Sequence, residues 1–344
     1  MKVITVRNVN DALFHGLPYL LREGVKEDSR NGSVIVAPGP VMTEYTHPME
    51  RVVFSPTRDA NPFFHLMEAL WMLAGRNDLD WPLYFNSRFK EFSNDGKYVH
   101  GAYGQRWRVW FGMDQLFVIG NELKNNPKSR RAVLAMWSAG GDLAELTTSE
   151  GRKIGGLKSK DVPCNTHIYF DLRYGKLNMT VCNRSNDVIW GAYGANAVHL
   201  SMLQEYMAAW IGVPVGVYRQ FSNNFHVYLD VYNTDKLQQI AQESYQTNYY
   251  AVRGDRSVIL VEPSPLVSTN VDEWNSDLLS FLGDPKRHNT YKNSFFNDVA
   301  RPMYMGWYAR KNKEGSGLEE VERIKATDWQ RACVEWIARR ERKH

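Results

Sequence analysis

The chain is poor in cysteine, lacks a long apolar run and carries little excess charge, and each absence excludes a class of protein. Three cysteines in 344 residues, an odd number, argue against a disulfide scaffold and for a reducing compartment, so we expect a cytoplasmic protein. No stretch reaches the roughly 18 apolar residues that span a bilayer, and the N-terminus lacks the apolar segment of a secretory signal, so no membrane partner is expected. The net charge of +4 is too even for a dedicated nucleic-acid binder but suits an anionic small molecule.

The overall amino-acid composition is that of a folded domain. Hydrophobic residues make up 43% and charged residues 23%, which excludes a disordered or fibrous chain. There is no internal repeat and no change of character along the chain. The sequence therefore predicts a single domain over residues 1–344, in which 233–344 form a C-terminal extension of unassigned role. Polar, glycine-containing segments at 149–161 and 312–317 are expected to be surface loops.

Apolar residues at helical spacing predict several helices. Asn61 and Pro62 form a typical helix start, and the apolar pattern behind them continues to Gly75. The segment 196–211 is apolar almost all round, which predicts a buried central helix. Further helices are predicted over 114–125 and 327–342.

Two segments with alternating apolar and polar residues, IYFDLR and KLNMTVCNR, predict a β-hairpin. They are separated by Tyr174 and Gly175, and in a hairpin with that two-residue turn the numbers of facing residues sum to about 349. Helices combined with an antiparallel hairpin indicate the α+β class.

The predicted hairpin register makes Cys164 a candidate nucleophile. Cys164 would lie opposite Ser185 and beside Arg184, and side chains directly opposed across two strands are ~5 Å apart. A guanidinium at that distance favours thiolate over thiol. Pro163 removes a backbone donor and stiffens the start of the strand. The alternative is that Cys164 is a small buried hydrophobic residue, as most free cysteines are.

Glu68 is a candidate for proton transfer because it lies on an apolar face of the predicted helix at 62–75. Its neighbours at helical spacing are Phe64, His65, Trp71 and Met72. A carboxyl group in such surroundings is desolvated, which raises its pKa toward neutrality. The alternative is a carboxylate at the rim of the helix that points to water.

Arginines recur beside hydroxyl-bearing residues, an arrangement that suits phosphate. Arg30 stands in DSRNGS, Arg130 and Arg131 in KSRRAV, and Arg184 precedes Ser185 in NRSND. The arginine fork matches phosphate geometry, and a hydroxyl adds a donor. Solvated surface charge is the alternative for each of them.

The order of these segments resembles the thymidylate synthase family from roughly Asn10 to Tyr228. HLMEALWMLAG resembles the family's glutamate helix, GAYGQRWR its YGxxWR segment and NNPKSRRAVLAMW its SRR strand. PCNTHIYF resembles the nucleophile strand, RSND the phosphate and folate segment, and NNFHVY the HxY ribose segment. The resemblance implies an α+β fold with a mixed sheet and a buried central helix, and a folate-dependent one-carbon transferase.

The resemblance also implies roles in catalysis. Cys164 would attack C6 of a pyrimidine deoxynucleoside monophosphate, and Asn196 would bond the O4 and N3 edge of its base. Glu68 and Tyr103 would serve proton transfer. Asp187 would bind the pterin of the second substrate, 5,10-methylenetetrahydrofolate, and would belong to the catalytic set. No metal site and no nucleic-acid partner are expected.

The remaining implied contacts hold the nucleotide across a homodimer. One chain would hold the phosphate with Arg30, Arg184 and Ser185, while a second subunit would contribute Arg130 and Arg131. His226 and Tyr228 would hold the ribose 3′-hydroxyl and so favour deoxyribose.

Departures from the synthase pattern bear on the product. The nucleophile is followed by Asn165 where synthases have His, and this residue is expected to order a water near Glu68. Phe89 and Phe92 stand where synthases have two tryptophans near the folate, and the charged segment RRERKH takes the place of a short apolar tail. These differences give water easier access and favour hydroxymethylation over methylation.

The identity of the base is read from a different set of residues. A residue other than His after the nucleophile, and Asn186 in RSND, also occur in the deoxycytidylate hydroxymethylases of this family. Asn196, where those enzymes use Asp, favours uracil. The loop before it is one residue longer than usual, so Ala195 is the alternative at this position. We therefore expect a deoxyuridylate hydroxymethylase, with a true thymidylate synthase and a deoxycytidylate hydroxymethylase as alternatives.

Two other classes remain possible from sequence. A single-strand nucleic-acid binder would cluster basic residues with aromatic ones, whereas here they scatter apart from the C-terminal ARRERKH. An inactive scaffold would not be expected to keep the cysteine, glutamate, asparagine and phosphate arginines together.

Overall fold

Two β-sheets and the helices packed on them form the part of the chain that the computed structural model describes, residues 1–29, 32–144, 147, 149–151, 156, 159–250, 261–287 and 290–342. The strands are β1 (Lys2–Val6), β2 (Val25–Ser29), β3 (Gly32–Val36), β4 (Val41–Tyr45), β5 (Val133–Ala135), β6 (Asn165–Arg173), β7 (Lys176–Asn183), β8 (Asn186–Asp187), β9 (Val215–Ser222) and β10 (Phe225–Tyr228).

Helices occur along the whole length of the chain. The α-helices are α1 (Val9–Glu23), α2 (Pro62–Leu73), α3 (Asp80–Phe85), α4 (Tyr103–Arg108), α5 (Gln115–Asn125), α6 (Ala139–Asp142), α7 (Asn196–Ile211), α8 (Thr234–Gln246), α9 (Val271–Gly283), α10 (Arg301–Lys311), α11 (Leu318–Val321) and α12 (Thr327–Glu341). A 3-10 helical turn lies at Ser87–Phe92, and π-helical turns lie at Val188–Ala195 and Phe296–Ala300. Among the described residues, none of these helices is both long and apolar enough to cross a bilayer.

The larger sheet is mixed. Its strand order is β1-β4-β9-β7-β6-β5, with β1/β4 and β9/β7 parallel and the other pairs antiparallel. A smaller sheet has the order β2-β3-β10-β8. The predicted α+β class is confirmed.

The predicted hairpin is present and turns where expected. Tyr174 and Gly175 both have positive φ, 54° and 71°, as the two central residues of a tight hairpin turn require. The predicted pairing holds along most of the two strands, as far as His167 opposite Cys182.

At the start of β6 the predicted register is wrong by one residue. An irregularity in the strand brings Asn165 opposite Asn183, and the carbonyl of Cys164 accepts a hydrogen bond from the backbone N–H of Arg184 at 2.9 Å. Cys164 therefore faces Arg184 and not Ser185. The physical reason is a bulge, which adds one residue to one strand and shifts everything beyond it.

The helices predicted from apolar spacing are found close to their expected bounds. Asn61 caps α2, because its side chain accepts a hydrogen bond from the N–H of Phe64 at 3.1 Å, and proline occupies the first turn. All residues of α7 are buried except Ala209 and Trp210, which confirms the central helix. The expected loop at 312–317 separates α10 from α11, whereas 152–155 and 157–158 of the other expected loop lie outside the described residues.

The C-terminal helices pack on α2 through aromatic rings. Trp336 of α12 lies edge-on to Phe63 at 5.5 Å between ring centroids, and Trp307 of α10 lies 5.8 Å from Trp336. At the end of α12, Arg339 and Arg340 bond the carboxylate of Asp59. This helical layer therefore supports the helix that carries Glu68.

Candidate active site

A cavity of about 470 Å³ opens beside α2 and the first turn of α7. It brings together four of the residues predicted from sequence, Glu68, Tyr103, Asn196 and Phe89. Four separate helical segments supply them, namely α2, the turn at Ser87–Phe92, α4 and α7, so the arrangement depends on how these segments pack together.

Glu68 lies in the cavity with its carboxyl group buried, as predicted. Its Oε2 has no hydrogen-bond partner among the described residues, although Nε2 of His199 lies 3.4 Å away. His199 is neutral, because burial lowers its pKa to about 3, and its Nε2 lies within hydrogen-bond distance of the carbonyl of His65. Burial, together with the charge of Asp161, raises the pKa of Glu68 to about 8. Near neutral pH this carboxyl group carries a proton.

A second carboxyl group in the cavity, that of Asp161, was missed by sequence reasoning. Its Oδ2 accepts a hydrogen bond from the backbone N–H of Gly101 at 2.8 Å, and burial raises its pKa to about 6. A Cβ at position 101 would lie 2.6 Å from this oxygen, so Gly101 is needed for the contact. Asp161 stands three residues before Cys164, at the end of a polar segment that reads as a loop, and no local signal distinguishes it.

Cys164 is not among the residues that line this cavity, but its sulfur interacts electrostatically with two residues that do, Tyr103 and Asp161. Burial is the dominant influence on the thiol and raises the pKa of Cys164, while the positive charge of Arg184 opposes that rise. The prediction of a thiolate-favouring environment is therefore wrong in its net direction for the free protein. The arginine acts as expected, but the desolvation of the buried sulfur outweighs it.

Tyr103 connects the cavity to the strand of the cysteine. Its hydroxyl accepts a hydrogen bond from the backbone N–H of Asn165 at 3.3 Å, and burial raises its pKa far above the ordinary value. Asn165 was expected to order a water near Glu68, but its side chain does not line the cavity. Its Nδ2 donates instead to the carbonyl of Cys182 at 3.2 Å, so it fixes the irregular start of β6.

The described residues predicted to hold phosphate lie in two places. Arg184 and Ser185 follow β7, and the guanidinium of Arg184 donates to the carbonyls of Pro163 and Val162 at 2.9 Å. Arg130 and Arg131 are exposed just before the edge strand β5, and neither of them lines the cavity. Arg30 lies outside the described residues.

The predicted ribose contacts share one strand. His226 and Tyr228 lie on β10 with ring centroids 5.1 Å apart, and Nδ1 of His226 lies 2.7 Å from Oδ1 of Asn224. Parallel pairing of β10 with β8 places His226 opposite Asp187. The expected ribose segment and the expected phosphate and folate segment are thus neighbours.

The side of the cavity where the resemblance predicts the folate is aromatic. Phe89 is buried and Phe92 is exposed, and their ring centroids lie 5.5 Å apart in an edge-on contact. Trp190, which sequence reasoning missed, supplies an indole to the same cavity. Asp187 accepts a hydrogen bond from the N–H of Trp190 at 2.6 Å, and burial raises the pKa of Asp187 to about 6.

Comparisons with known proteins identify the family of this chain. The thymidylate synthase family model matches residues 16–262. Deoxyuridylate hydroxymethyltransferase of Pseudomonas phage M6 is 47% identical over 347 residues, which cover 99% of this chain and 95% of that protein. The protein of the same name from Bacillus phage SP01 is 36% identical over 71% of this chain and 64% of its own length.

A more distant relative carries the synthase name. A putative thymidylate synthase of Methanothermobacter thermautotrophicus is 38% identical over 136 residues, which cover 40% of this chain and 54% of that protein. The family expected from the motifs is confirmed, and with it a folate-dependent enzyme that acts on pyrimidine nucleotides. The chain belongs to the thymidylate synthase family of one-carbon transferases.

Proposed function

We propose that this protein transfers a one-carbon unit from 5,10-methylenetetrahydrofolate to C5 of deoxyuridylate and leaves a hydroxymethyl group there. The observation that carries the proposal is the pair of desolvated carboxyl groups, Glu68 and Asp161, in one cavity, where Asp161 also interacts electrostatically with the sulfur of Cys164. The names of the two phage relatives support the same product.

Covalent catalysis is needed because C5 of uracil is a poor nucleophile. Addition of the Cys164 sulfur to C6 turns the ring into an enolate that is nucleophilic at C5. Asn196 would stabilise the charge that develops on O4. Since burial raises the pKa of the thiol, the positive charge of Arg184 is needed to favour the thiolate when the sulfur attacks.

The second carboxyl group gives water addition a proton acceptor. The folate would supply a carbon at the oxidation level of formaldehyde and leave as tetrahydrofolate. Two protons must then be accepted by a base. One comes from C5, and the other is released when water adds to the exocyclic methylene on the ring. A methyl product needs only the first, because a hydride arrives in place of water. With pKa values of about 8 and about 6, Glu68 is protonated and Asp161 ionised near neutrality.

The residues around the cavity fit a folate. The aromatic side chains of Trp190, Phe89 and Phe92 line the cavity and match the flat ring of a pterin. The carboxyl of Asp187, which accepts from the backbone N–H of Trp190, would match the N–H donors of the pterin. Arg58 lines the same cavity and would face the carboxylates of a glutamate tail. These residues would hold the folate and keep its reactive end over the nucleotide.

The phosphate contacts require a second copy of the chain in this proposal. Arg184 and Ser185 would hold the phosphate with Arg30, while Arg130 and Arg131 of a second subunit complete the site. The exposure of the latter two at an edge strand supports this division. Mixing inactive Arg130→Ala with inactive Cys164→Ser should restore activity through hybrid dimers, and a mixture that stays inactive after proven subunit exchange contradicts the shared site.

The product decides between the proposal and its alternatives. Incubation with deoxyuridylate and methylenetetrahydrofolate should give a nucleotide one oxygen atom heavier than thymidylate by mass, with no rise in dihydrofolate absorbance. Thymidylate with dihydrofolate would establish the synthase alternative, and turnover of deoxycytidylate alone the cytidylate one. A covalent adduct with 5-fluoro-deoxyuridylate and the folate, absent in Cys164→Ser, would exclude both the inactive scaffold and the nucleic-acid binder.

A further inference from the structure

Three buried side-chain amides form a chain that begins at a backbone carbonyl and ends in the cavity. Nε2 of Gln220 donates to the carbonyl of Ala192 at 3.0 Å, and Nδ2 of Asn186 donates to Oε1 of Gln220 at 2.6 Å. Nδ2 of Asn196 then donates to Oδ1 of Asn186 at 3.1 Å. The side chains of Gln220, Asn186 and Asn196 are called the amide relay below, and all three residues are buried.

The backbone carbonyl fixes the direction of every bond in the amide relay. A carbonyl oxygen only accepts, so the nitrogen of Gln220 must face Ala192 and its oxygen must face Asn186. Asn186 therefore presents nitrogen to Gln220 and oxygen to Asn196, and its second N–H is taken by Oγ of Ser222 at 3.0 Å. Rotating any one amide by half a turn would bring two donors or two acceptors together in a buried place, which is costly.

The consequence at Asn196 is a fixed pair of groups facing the cavity. One N–H of Nδ2 is used by Asn186, which leaves the other N–H as a donor. Among the described residues nothing bonds to Oδ1 of Asn196, so this oxygen is a free acceptor. The O4 acceptor and N3–H donor of uracil complement that pair, whereas cytosine presents an amino donor and an N3 acceptor in the same places.

We propose that Gln220 and Asn186 are positioning residues that make the site select uracil over cytosine, because they hold the Asn196 amide in one orientation. The inference rests on the proposed function in taking the nucleotide base to lie against Asn196. It explains why a buried asparagine follows Arg184 and Ser185, and why Gly191 is a glycine. A Cβ at position 191 would lie 2.6 Å from Oδ1 of Asn186 and would displace the middle of the relay.

The test is the ratio of the affinities for deoxyuridylate and deoxycytidylate, measured by calorimetric titration. The unaltered protein should prefer deoxyuridylate. Asn186→Ala and Gln220→Met each free Asn196 to rotate, so each should reduce that preference by ~10-fold or more, the scale of mispaired buried hydrogen bonds. Because both changes act on the same orientation, the double variant should lose no more preference than either single variant.

Asn178→Ala is the matched control. Asn178 is a buried amide on β7 whose Oδ1 accepts from the N–H of Val217 at 2.9 Å, and it is not part of the relay. The control should lose stability but keep the base preference. An equal loss of preference in the control, or an unchanged preference in folded Asn186→Ala and Gln220→Met, would overturn the proposal. So would an unaltered protein that binds deoxycytidylate as tightly as deoxyuridylate.

Failure of the relay and failure of the proposed function have different signatures. Adduct formation with 5-fluoro-deoxyuridylate tests the chemistry, and binding ratios test the orientation of Asn196. A second measurement needs no nucleotide: in the free protein the side-chain amide protons of Asn186 and Gln220 should exchange slowly with solvent. Exchange of both at the rate of exposed amides would also overturn the relay.

Discussion

The cavity-lining part of the chain and the C-terminal helices bury different chemistry. The cavity is lined by the half-buried carboxyl-bearing residues Glu68 and Asp161, and the buried amide of Asn186 bonds Asn196 at its edge. In the helices from α9 onward the largest buried side chains are aromatic, for example Trp274 and Phe281. Burial of polar groups costs free energy, whereas burial of aromatic rings provides it. The comparison teaches that the site includes polar groups whose burial costs free energy, and that the aromatic layer outside it helps to offset that cost.

The change with the largest expected effect removes the chemistry and leaves the packing intact. Cys164→Ser should reduce turnover by roughly a thousandfold or more, because a hydroxyl is a much weaker nucleophile than a thiolate. Nucleotide affinity and the thermal midpoint should change little, since the two side chains are similar in size. Rates comparable to those of the unaltered protein would remove Cys164 from the mechanism.

The next change tests the aromatic layer. Trp336→Ala should lower the free energy of unfolding by about 3–5 kcal/mol, the usual cost of truncating a buried Trp, measured by denaturant titration. Trp336→Phe is the control and should lose much less, because a ring remains against Phe63. If the loss of stability were confined to a separate unfolding transition that leaves α2 folded, the two regions would unfold independently. The aromatic layer could then not offset the cost of the polar groups at the site.

Nucleotide affinity gives a smaller effect that belongs to the polar region alone. Arg184→Ala should weaken deoxyuridylate binding by about 1.5–3 kcal/mol, the scale of a hydrogen bond to a charged group, measured by calorimetry. Arg173→Ala removes an exposed arginine from the same hairpin and should have no effect on binding. Equal losses in the two variants would point to overall charge and not to a phosphate site.

The pH dependence of stability isolates the cost of one buried carboxyl. The folded state raises the pKa of Glu68 from 4.5 to about 8, so it binds the proton more tightly than the unfolded state does. Stability should therefore fall as pH rises between these values, by at most about 1.4 kcal/mol per pH unit from this group. Glu68→Gln should flatten the fall.

Above about pH 6.5, the pH dependence of stability from Glu68 can be distinguished from that of the other buried carboxyl groups. Asp161, Asp187 and Asp328 have pKa values raised only to about 6, so their contributions to the slope are mostly complete there. Asp328→Asn, in the C-terminal helices, is the control and should leave the slope in this window unchanged. An identical slope in the protein with and without Glu68 would mean that this carboxyl is ionised throughout.

Sequence reasoning succeeded where a short-range pattern decides the structure. Alternation around Tyr174 and Gly175 determined the hairpin, and the apolar neighbours of Glu68 predicted the direction of its pKa shift. It failed where long-range packing decides. The register of Cys164 was predicted by continuing the two-residue alternation along β6, but the bulge before His167 interrupts that alternation. The pKa of Cys164 depends on how deeply the sulfur is desolvated, which the adjacent arginine does not reveal.

The same distinction explains which site residues were missed. Asp161 is fixed by Gly101, far away in sequence, and the segment that precedes it has the composition of a loop. Gln220 acts through two other amides, so no motif around it indicates a site. Residues whose role depends on a partner from another element are visible only once the fold has brought them together.

The contact between α12 and Asp59 couples the attachment of this C-terminal helix to ligand binding in the cavity. Asp59 lines the cavity in a left-handed conformation with φ of 46°, and it is bonded there by Arg339 and Arg340. A ligand that stabilises this turn stabilises the attachment of α12 by the same free energy that the attached helix gives to ligand binding. A ligand bound in the cavity should therefore slow proteolysis or hydrogen exchange in the last turns of α12.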